Sequence, residues 1–432
     1  MYPPGTLQRI GRCPLCRASL VRRVRILSWL LPLLGLLATA TPSLAQSAAT
    51  TTEPYATLDR QGVTYRGPVS ATEKNDADGT AIIGMILPLK GPQQLEGKLL
   101  LAAAQLAIEE EQSLGPLADG RHLELLARDE SGPWGQASSE ILKLIEQDHA
   151  LVILTSANGT SAHLAEQIAN KISIPILTLS SDPSTTQANV PWLFRLGPSD
   201  ADQARAFCQR IYSDLGLKRV LLIVQMDHDG RIGGAEFEKV TKELNVPAPL
   251  RFVRTDSPTN LESFREILRT DEPDAIVFWT DAPAADELLP LVRGTRPSTP
   301  VFLCRKAAQL DARGTHTESA AESKQQAQSS GELFTVDLAE QGQVSTQTKF
   351  QPLYFAQTGT YAGLGANEIY VAVHMIAAAV RSTGANRILL RDYFANEGKS
   401  RRTEDNVPFD PAGNSLQDFT IVTLQEPCLA KP

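Results

Sequence analysis

The chain has 432 residues, of which 42% are hydrophobic and 21% are charged, a composition typical of a soluble protein with two or more domains. Its formal net charge is −8, but the first 45 residues contain six arginines and no acids. Without this segment the chain has 35 of its 41 basic residues and all 49 acidic residues, which gives a net charge of −14. Such an acidic chain repels nucleic acid and anionic membrane surfaces, so neither is expected as a partner.

The amino terminus has the pattern of a secretory signal. Its arginines precede an apolar run over residues 26–37, and Ser43-Leu44-Ala45 forms a small-x-small cleavage site. We therefore predict a signal peptide over residues 1–45 and export to the periplasm or the extracellular space. The apolar run is short for a membrane helix, and retention by an N-terminal anchor is the alternative. Residues 46–79, rich in Thr, Ala and Ser, are predicted to form a flexible lead-in.

A strand–helix–strand unit stands at the centre of the sequence. The apolar runs 151–154 and 174–179 predict buried strands, and Leu164, Ile168 and Ile172, spaced four apart, predict a helix between them. Such a crossover requires a parallel sheet. Small polar residues follow both strands: Thr155, Ser156, Asn158 and Thr160 after the first, and Ser180, Ser181 and Asp182 after the second. Because ligands bind beyond the carboxyl ends of parallel strands, these residues predict a ligand site; helix caps and turns are the alternative reading.

Strands and helices alternate along the rest of the chain. Strands are predicted near 81–87, 122–127, 191–196, 219–224, 250–253, 275–279, 301–303, 332–336 and 418–424, and helices near 99–108, 141–145, 202–215, 235–244, 261–268, 284–292, 349–355, 367–381 and 388–395. Gly197-Pro198 separates two such series, and residues 307–330 are predicted to form a solvated loop. The predicted fold class is α/β, with two lobes built on parallel sheets.

The order of these elements resembles the type I periplasmic binding proteins, and among them the branched-chain amino acid binding proteins of ABC transporters. The matching segments are IGMILPL at 83–89 with Gly91-Pro92 and Gly97, FRLGPSD at 194–200 with Gln203, PDAIV at 273–277, the 361–379 region, and Phe409-Asp410 with Gly413. The resemblance implies two Rossmann-like lobes joined by a multi-crossing hinge, with a ligand held between them. By analogy, the first lobe takes 80–197 and 345–402, and the second takes 198–344 and 403–432.

The resemblance also implies positions for the ligand site. The aromatic residue of the first loop falls at Glu96, the serine that meets the ligand carboxylate falls near Asn158, and the small residue and threonine after the next strand fall at Ser180 and Asp182. In the second lobe the tyrosine position falls at Asp281, and the acid that holds the ligand ammonium falls at Arg305. The full predicted ligand-binding set is Glu96, Asn158, Thr160, Ser180, Ser181, Asp182, Asp229, Asp281 and Arg305.

These departures from the family pattern bear on the choice of ligand. Arg305 cannot pair with an α-amino group, so a branched-chain amino acid is disfavoured. Glu96, Asp182 and Asp281 supply negative charge for a cationic or polyol ligand, while Arg305 could pair with one of these acids or meet an anionic ligand. A solvated surface or a structural ion pair is the alternative reading for Glu96, Asp281 and Arg305.

The sequence gives little support for an enzyme. It has no G-x-S-x-G elbow, no H-E-x-x-H and no G-x-G-x-x-G after a strand. The six histidines show no metal-ligand spacing: His122, His149, His163, His228, His316 and His374. We predict no cofactor and no metal, although Asp227-His228-Asp229 after a strand could bind a metal or act as a base. The predicted function is solute capture by a monomer for an ABC permease, with an amino acid, an amide or a related molecule as ligand; a sensor or regulator without transport is the alternative.

Overall fold

A computed structural model describes residues 79–117, 120–132, 135–188, 190–308, 331–338, 344–363, 365–396 and 407–424. The predicted signal peptide, residues 46–78 of the lead-in and residues 309–330 of the predicted loop lie outside the described residues.

The described residues form two sheets. The strands are β1 (Thr80–Leu87), β2 (His122–Asp129), β3 (Val152–Thr155), β4 (Ile176–Thr178), β5 (Leu193–Arg195), β6 (Val220–Gln225), β7 (Leu250–Arg254), β8 (Ala275–Trp279), β9 (Val301–Leu303), β10 (Leu333–Leu338) and β11 (Phe419–Leu424). The first sheet has the order β2-β1-β3-β4-β5 and the second the order β11-β10-β9-β8-β6-β7. All neighbours pair in parallel except β10 and β11, which are antiparallel at one edge. The predicted α/β class is thereby confirmed.

Helices connect the strands. They are α1 (Gln94–Ser113), α2 (Gln136–Glu146), α3 (Gly159–Ile172), α4 (Ser184–Gln187), α5 (Asp200–Cys208), α6 (His228–Glu243), α7 (Pro258–Thr270), α8 (Ala282–Thr295), α9 (Arg305–Ala308), α10 (Val344–Thr358), α11 (Ala366–Thr383) and α12 (Arg387–Asn396). A π-helical turn, Gln209–Asp214, continues α5. Among the described residues, no helix combines the length and the apolarity that are needed to cross a bilayer.

Each sheet has its own hydrophobic core. The first sheet packs against α1 and also against α10, α11 and α12, which contribute Phe350, Ile369 and Leu390. The second core includes Leu424 of β11. The chain therefore passes between the sheets after β5, again between β10 and α10, and a third time before β11. Val407 and Phe409 still belong to the first core, so the boundary predicted at residue 402 falls before this contact.

One predicted helix face differs from the structure. On α3 the fully buried face consists of Ala162, Ala165 and Ala169, whose small side chains let the helix lie close to the sheet, while the predicted Leu164, Ile168 and Ile172 are only partly buried.

Helix α6 begins at His228 rather than at residue 235. Its first turns contain three glycines, which are weak helix formers and suggest a loop. The structure explains one of them: a Cβ on Gly233 would lie 1.8 Å from Trp279 Nε1. The helix start is fixed by Asp227, whose Oδ1 accepts the Gly230 N–H at 2.7 Å.

Candidate functional site

The carboxyl ends of the two sheets face each other and are in direct contact. The Gly159 N–H of the first lobe donates to Asp229 Oδ1 of the second at 3.0 Å. His228 Nε2 lies 2.7 Å from Asp182 Oδ2, and Gln93 Nε2 donates to Asp281 Oδ2 at 3.2 Å. Parallel strands in both sheets place these loops at the facing edges. The structure is therefore a closed arrangement of the two lobes.

The N-terminus of α3 is occupied by side chains of the protein itself. Asn158 is the N-cap, and its Oδ1 accepts the Thr160 N–H at 3.0 Å and the Ser161 N–H at 3.3 Å. The Thr160 residue is exposed. The remaining N–H, that of Gly159, is taken by the carboxylate of Asp229, which lies where a helix N-terminus favours an anion. Asp229 thus occupies the position that the sequence assigned to a ligand carboxylate.

Lys306 lies at the centre of the contact between the lobes. Its ammonium forms an ion pair with Asp229, and its side chain is only 13% exposed. Burial alone would lower the pKa of Lys306, but the charges of Asp229 and Asp227 outweigh that effect and raise it above its usual value. Lys306 therefore stays charged at all ordinary pH values and neutralises part of an acidic surround.

Two buried glutamates face this lysine from the first lobe. Burial raises the pKa of Glu96 to about 7, against the opposing charge of Lys306. Burial likewise raises the pKa of Glu130 to about 7, although Ser156 Oγ donates to its Oε1 at 2.6 Å. Glu130 Oε2 is buried with no hydrogen-bond partner among the described residues. Burial also raises the pKa of Asp227. The centre of the cleft thus holds more carboxylates than one lysine can neutralise.

Asp182 is the hub of a separate polar cluster. Its side chain is 1% exposed, and its Oδ1 accepts both the Ser184 N–H at 2.9 Å and the Ser184 hydroxyl at 2.6 Å. Its Oδ2 lies 3.1 Å from His163 Nε2 and 2.7 Å from His228 Nε2. Burial would raise the pKa of Asp182, but hydrogen bonds from His163, Ser184 and His228 hold it well below its usual range. The hydrogen bonds to Asp182 and Glu166 raise the pKa of His163 to about 9.

Asp281 caps a helix and also bridges the lobes. Its Oδ1 accepts the Ala284 N–H at 3.0 Å, as expected of the N-cap of α8. Its Oδ2 accepts from Gln225 at 3.1 Å and from Gln93 of the opposite lobe at 3.2 Å. Both oxygens of Asp281 are therefore already engaged in this closed arrangement.

Arg305 is part of a buried network beside Gly197, on the segment where the chain first passes between the two sheets. It pairs with Glu368 of α11, and its Nη1 lies 3.2 Å from Asp337 Oδ1. The same nitrogen donates to the Val336 carbonyl at 3.1 Å, and the Arg305 N–H donates to Gln203 Oε1 at 2.8 Å. Arg305 thus forms a structural ion pair, one of the alternatives left open by the sequence, but its partners are Glu368 and Asp337 rather than Glu96, Asp182 or Asp281.

A small hollow lies between Arg305 and Lys306. Only about 10 Å³ of it is open to the centre of a water molecule, enough for about one water. Its walls are Ala157, Leu179, Ser181, Gly197, Pro198, Arg305, Lys306, Gly365 and Glu368. The two serines of the predicted set support these walls: the Ser181 carbonyl accepts from Arg195 at 3.1 Å, and the buried Ser180 Oγ accepts the Asp182 N–H at 3.3 Å.

Several residues of the cleft are missing from the predicted ligand-binding set, among them Glu130, Lys306 and His163. Glu130 directly follows β2, and Lys306 directly follows Arg305, so the rule that ligands bind beyond strand ends could have included both. His163 lies one turn inside α3, and no local signal relates it to Asp182 or His228. Its partner His228 is 65 positions away in the sequence.

The chain is similar to known binding proteins. A sequence profile described as periplasmic binding protein matches residues 80–397. A branched-chain amino acid transporter substrate-binding protein from Streptococcus pneumoniae, solved with isoleucine, is 18% identical with a TM-score of 0.67, and the match covers 80% of this chain and 96% of that one. A solute-binding protein of an ABC transporter from R. palustris, solved with benzoate, is 16% identical with a TM-score of 0.66, covering 80% and 94%.

A leucine-binding protein from Thermotoga maritima is also similar, at 18% identity and a TM-score of 0.65, with 80% of this chain and 98% of that one covered. At such identities the likeness to these structures shows a shared fold. No curated protein matches the sequence significantly.

Proposed function

Because the chain belongs to the periplasmic binding protein family, we propose that it captures a small polar solute between its two lobes and presents it to an ABC permease. It is a binding protein rather than an enzyme, and its family places it in the periplasm or outside the cell. For this chain we propose cleavage after Ala45 and action as a monomer. The proposed lobes are 80–197 with 345–402, and 198–344 with 403–432, with Val407 and Phe409 of the last crossing packed on the core of the first lobe.

The excess of carboxylates around Lys306 carries the proposal. Glu96 and Glu130 of the first lobe and Asp227 and Asp229 of the second interact with this single lysine. Four acids against one base leave the closed cleft short of positive charge. Burial, which the charge of Lys306 only partly offsets, raises the pKa of both glutamates to about 7. A positively charged guest would relieve this imbalance.

We infer from this imbalance that the guest carries an amine or a similar cationic group. Glu96 lies in the first turn of α1, is 8% exposed and interacts with the charge of Lys306, and in our proposal its carboxylate accepts from an ammonium of the guest. Asp229 would accept as well once the lobes part and its bonds to Gly159 and Lys306 open. Charge-assisted hydrogen bonds of this kind are short and strong in a desolvated cleft.

The other predicted site residues have supporting roles in this proposal. Asn158 and Thr160 shape the start of α3, Ser180, Ser181 and Asp182 hold the adjoining loop, Asp281 joins the lobes through Gln93, and Arg305 joins α9 to β10 and α11. The hollow that the described residues leave beside Lys306 holds about one water, so we propose that the guest enters when the lobes part by a hinge motion.

A thermal-shift screen tests the proposal. We expect amines and polyamines, but not small carboxylates, to raise the melting temperature, because a guest that binds only the folded protein stabilises it. Amino acids and amides complete the panel. Affinity for the best amine should rise from pH 6 to pH 8 as Glu96 and Glu130 lose their protons, and Glu96→Gln should weaken it by about tenfold or more. Glu262→Gln, at an acid that is 72% exposed, is the matched control. Absence of any shift across the panel would overturn the proposal.

A second candidate function is favoured by the filled cleft. Asp229 at the start of α3 and the ammonium of Lys306 occupy the space between the lobes, and the hollow beside them holds about one water. A sensor or regulator without transport would keep this closed arrangement without a guest. Small-angle scattering of the ligand-free protein separates the two functions: a carrier should be more open than the structure, whereas a regulator should match it.

A further inference from the structure

A second group of side chains bridges the lobes, apart from the acids around Lys306. His163 of α3 and Asp182 after β4 belong to the first lobe, and His228 in the first turn of α6 belongs to the second. One atom from each, two imidazole nitrogens and one carboxylate oxygen, lie within 4.8 Å of one another. The two rings stand nearly perpendicular, with centroids 5.6 Å apart.

The donor set is one that zinc prefers. In a tetrahedral zinc site the ligand atoms are roughly 2.0–2.2 Å from the metal and hence about 3.3 Å from one another. Asp182 Oδ2 lies 3.1 Å from His163 Nε2 and 2.7 Å from His228 Nε2, and all three ligand atoms lie within 4.8 Å of one another. Each distance between two ligand atoms therefore needs to change by well under 2 Å to reach the tetrahedral geometry. Two imidazoles and one carboxylate leave a fourth position for water.

The outer contacts of the cluster are those of a metal site. His163 Nδ1 lies 3.1 Å from Glu166 Oε2, and Glu166 is 6% exposed. When Nδ1 donates to that carboxylate, the Nε2 lone pair of the neutral ring is free to bind a metal between the three residues. On the other side, Ser184 donates through both its N–H and its hydroxyl to Asp182 Oδ1, which leaves Oδ2 directed at the histidines; the Ser184 hydroxyl also lies 3.0 Å from His163 Nε2.

We propose that His163, Asp182 and His228 form a zinc site that joins the two lobes. The ligand set is complete only when the lobes are in contact, so zinc would favour the closed arrangement by binding it preferentially. Metal replaces the protons that otherwise lie between the Nε2 atoms and Asp182, and these protons are released to solvent. The site uses none of the acids assigned to the amine guest and goes beyond solute capture.

Metal titration of the tag-free, chelator-stripped protein tests the site. Calorimetry with ZnCl2 should show one saturable equivalent, MgCl2 should show none, and CoCl2 should give the intense visible absorption of tetrahedral cobalt. His163→Gln and His228→Gln should each weaken zinc binding by about 100-fold or more. His122→Gln, at an exposed histidine on β2, is the matched control and should bind as the native chain does.

A closed-state readout separates a bridging site from a surface one. Zinc should raise the melting temperature of the native chain and reduce its radius of gyration, and both effects should vanish in His228→Gln, whose side chain is one-third exposed and tolerates replacement. Absence of saturable binding, or equal binding in all variants, would overturn the proposal and leave a hydrogen-bonded cluster without metal. Amine shifts measured with chelator present report on solute capture separately.

Discussion

Arg305 and Lys306 are neighbours on the same short helix, yet their charged groups have different surroundings. The Arg305 guanidinium donates hydrogen bonds to Glu368, Asp337 and the Val336 carbonyl. Lys306 faces Asp229, Asp227 and Glu96, which outnumber it. The residues around Arg305 join α9 to β10 and α11. The residues around Lys306 lack positive charge, and there we propose that a guest contributes binding energy.

The difference shows how one loop can combine structure with recognition. A buried ion pair whose hydrogen bonds are complete gains little from a bound ligand, because each charged group already has its partners. In a cluster with excess negative charge, burial raises the pKa values of the carboxyl groups. A cationic ligand can lower those pKa values again. Three substitutions test this comparison.

Glu368→Ala is expected to have the largest effect. It leaves Arg305 buried beside a single acid, and breaking such a pair lowers the free energy of unfolding by about 3–5 kcal/mol. Urea denaturation measures the loss. The control is Glu243→Ala, which removes the exposed Arg205–Glu243 pair, 57% and 43% exposed, and should change stability by about 1 kcal/mol or less. Equal effects of both substitutions would contradict the description of the Arg305 network.

Glu96→Gln is expected to change how stability depends on pH. The pKa of Glu96 rises from 4.5 to about 7 on folding, so the folded state binds the proton more tightly than the unfolded state. Its contribution is fully present below pH 4.5 and is lost as the pH rises towards 7, a change of up to about 3 kcal/mol.

Glutamine cannot titrate, so the variant should match the native chain near pH 4.5 and exceed it in stability at pH 8. Urea denaturation at the two pH values measures this. Glu368→Gln is the control and should show no such gain in stability at pH 8, because the Arg305 guanidinium pairs with a charged carboxylate. If the free energy of unfolding of the native chain and of Glu96→Gln changed in parallel with pH, a buried, protonated Glu96 would be contradicted.

Gly159→Ala is expected to have the smallest of the three effects on stability, about 1–3 kcal/mol, and to open the cleft. A Cβ at this position would lie 2.4 Å from Asp229 Oδ1 and 3.1 Å from His228 Cδ2, so these two side chains must shift and the contact between the lobes is weakened. Scattering should show a larger radius of gyration. Gly294→Ala, where a Cβ meets nothing within 4 Å, should leave the radius unchanged; an unchanged radius in Gly159→Ala too would mean that the lobes are already apart in solution.

Local patterns were enough to predict most of the fold. The apolar run at 81–87 predicts β1 to within one residue, and the runs at 275–279 and 301–303 match β8 and β9. Where local pattern failed, tertiary packing was the cause: the glycines of α6 suit a helix that lies against Trp279, and α3 buries alanines rather than its larger side chains.

The sequence by itself determined the alternation of strand and helix, and with it the rule that polar residues after parallel strands gather at one edge. Only the tertiary structure decided which of these residues meet. Asp229 contacts Gly159, 70 positions away, and Lys306, 77 positions away, while Arg305 contacts Glu368, 63 positions away. The physical reason is that periodicity depends on neighbouring residues, whereas the choice of a charged partner across the cleft depends on how two separate sheets pack and on which groups are desolvated together.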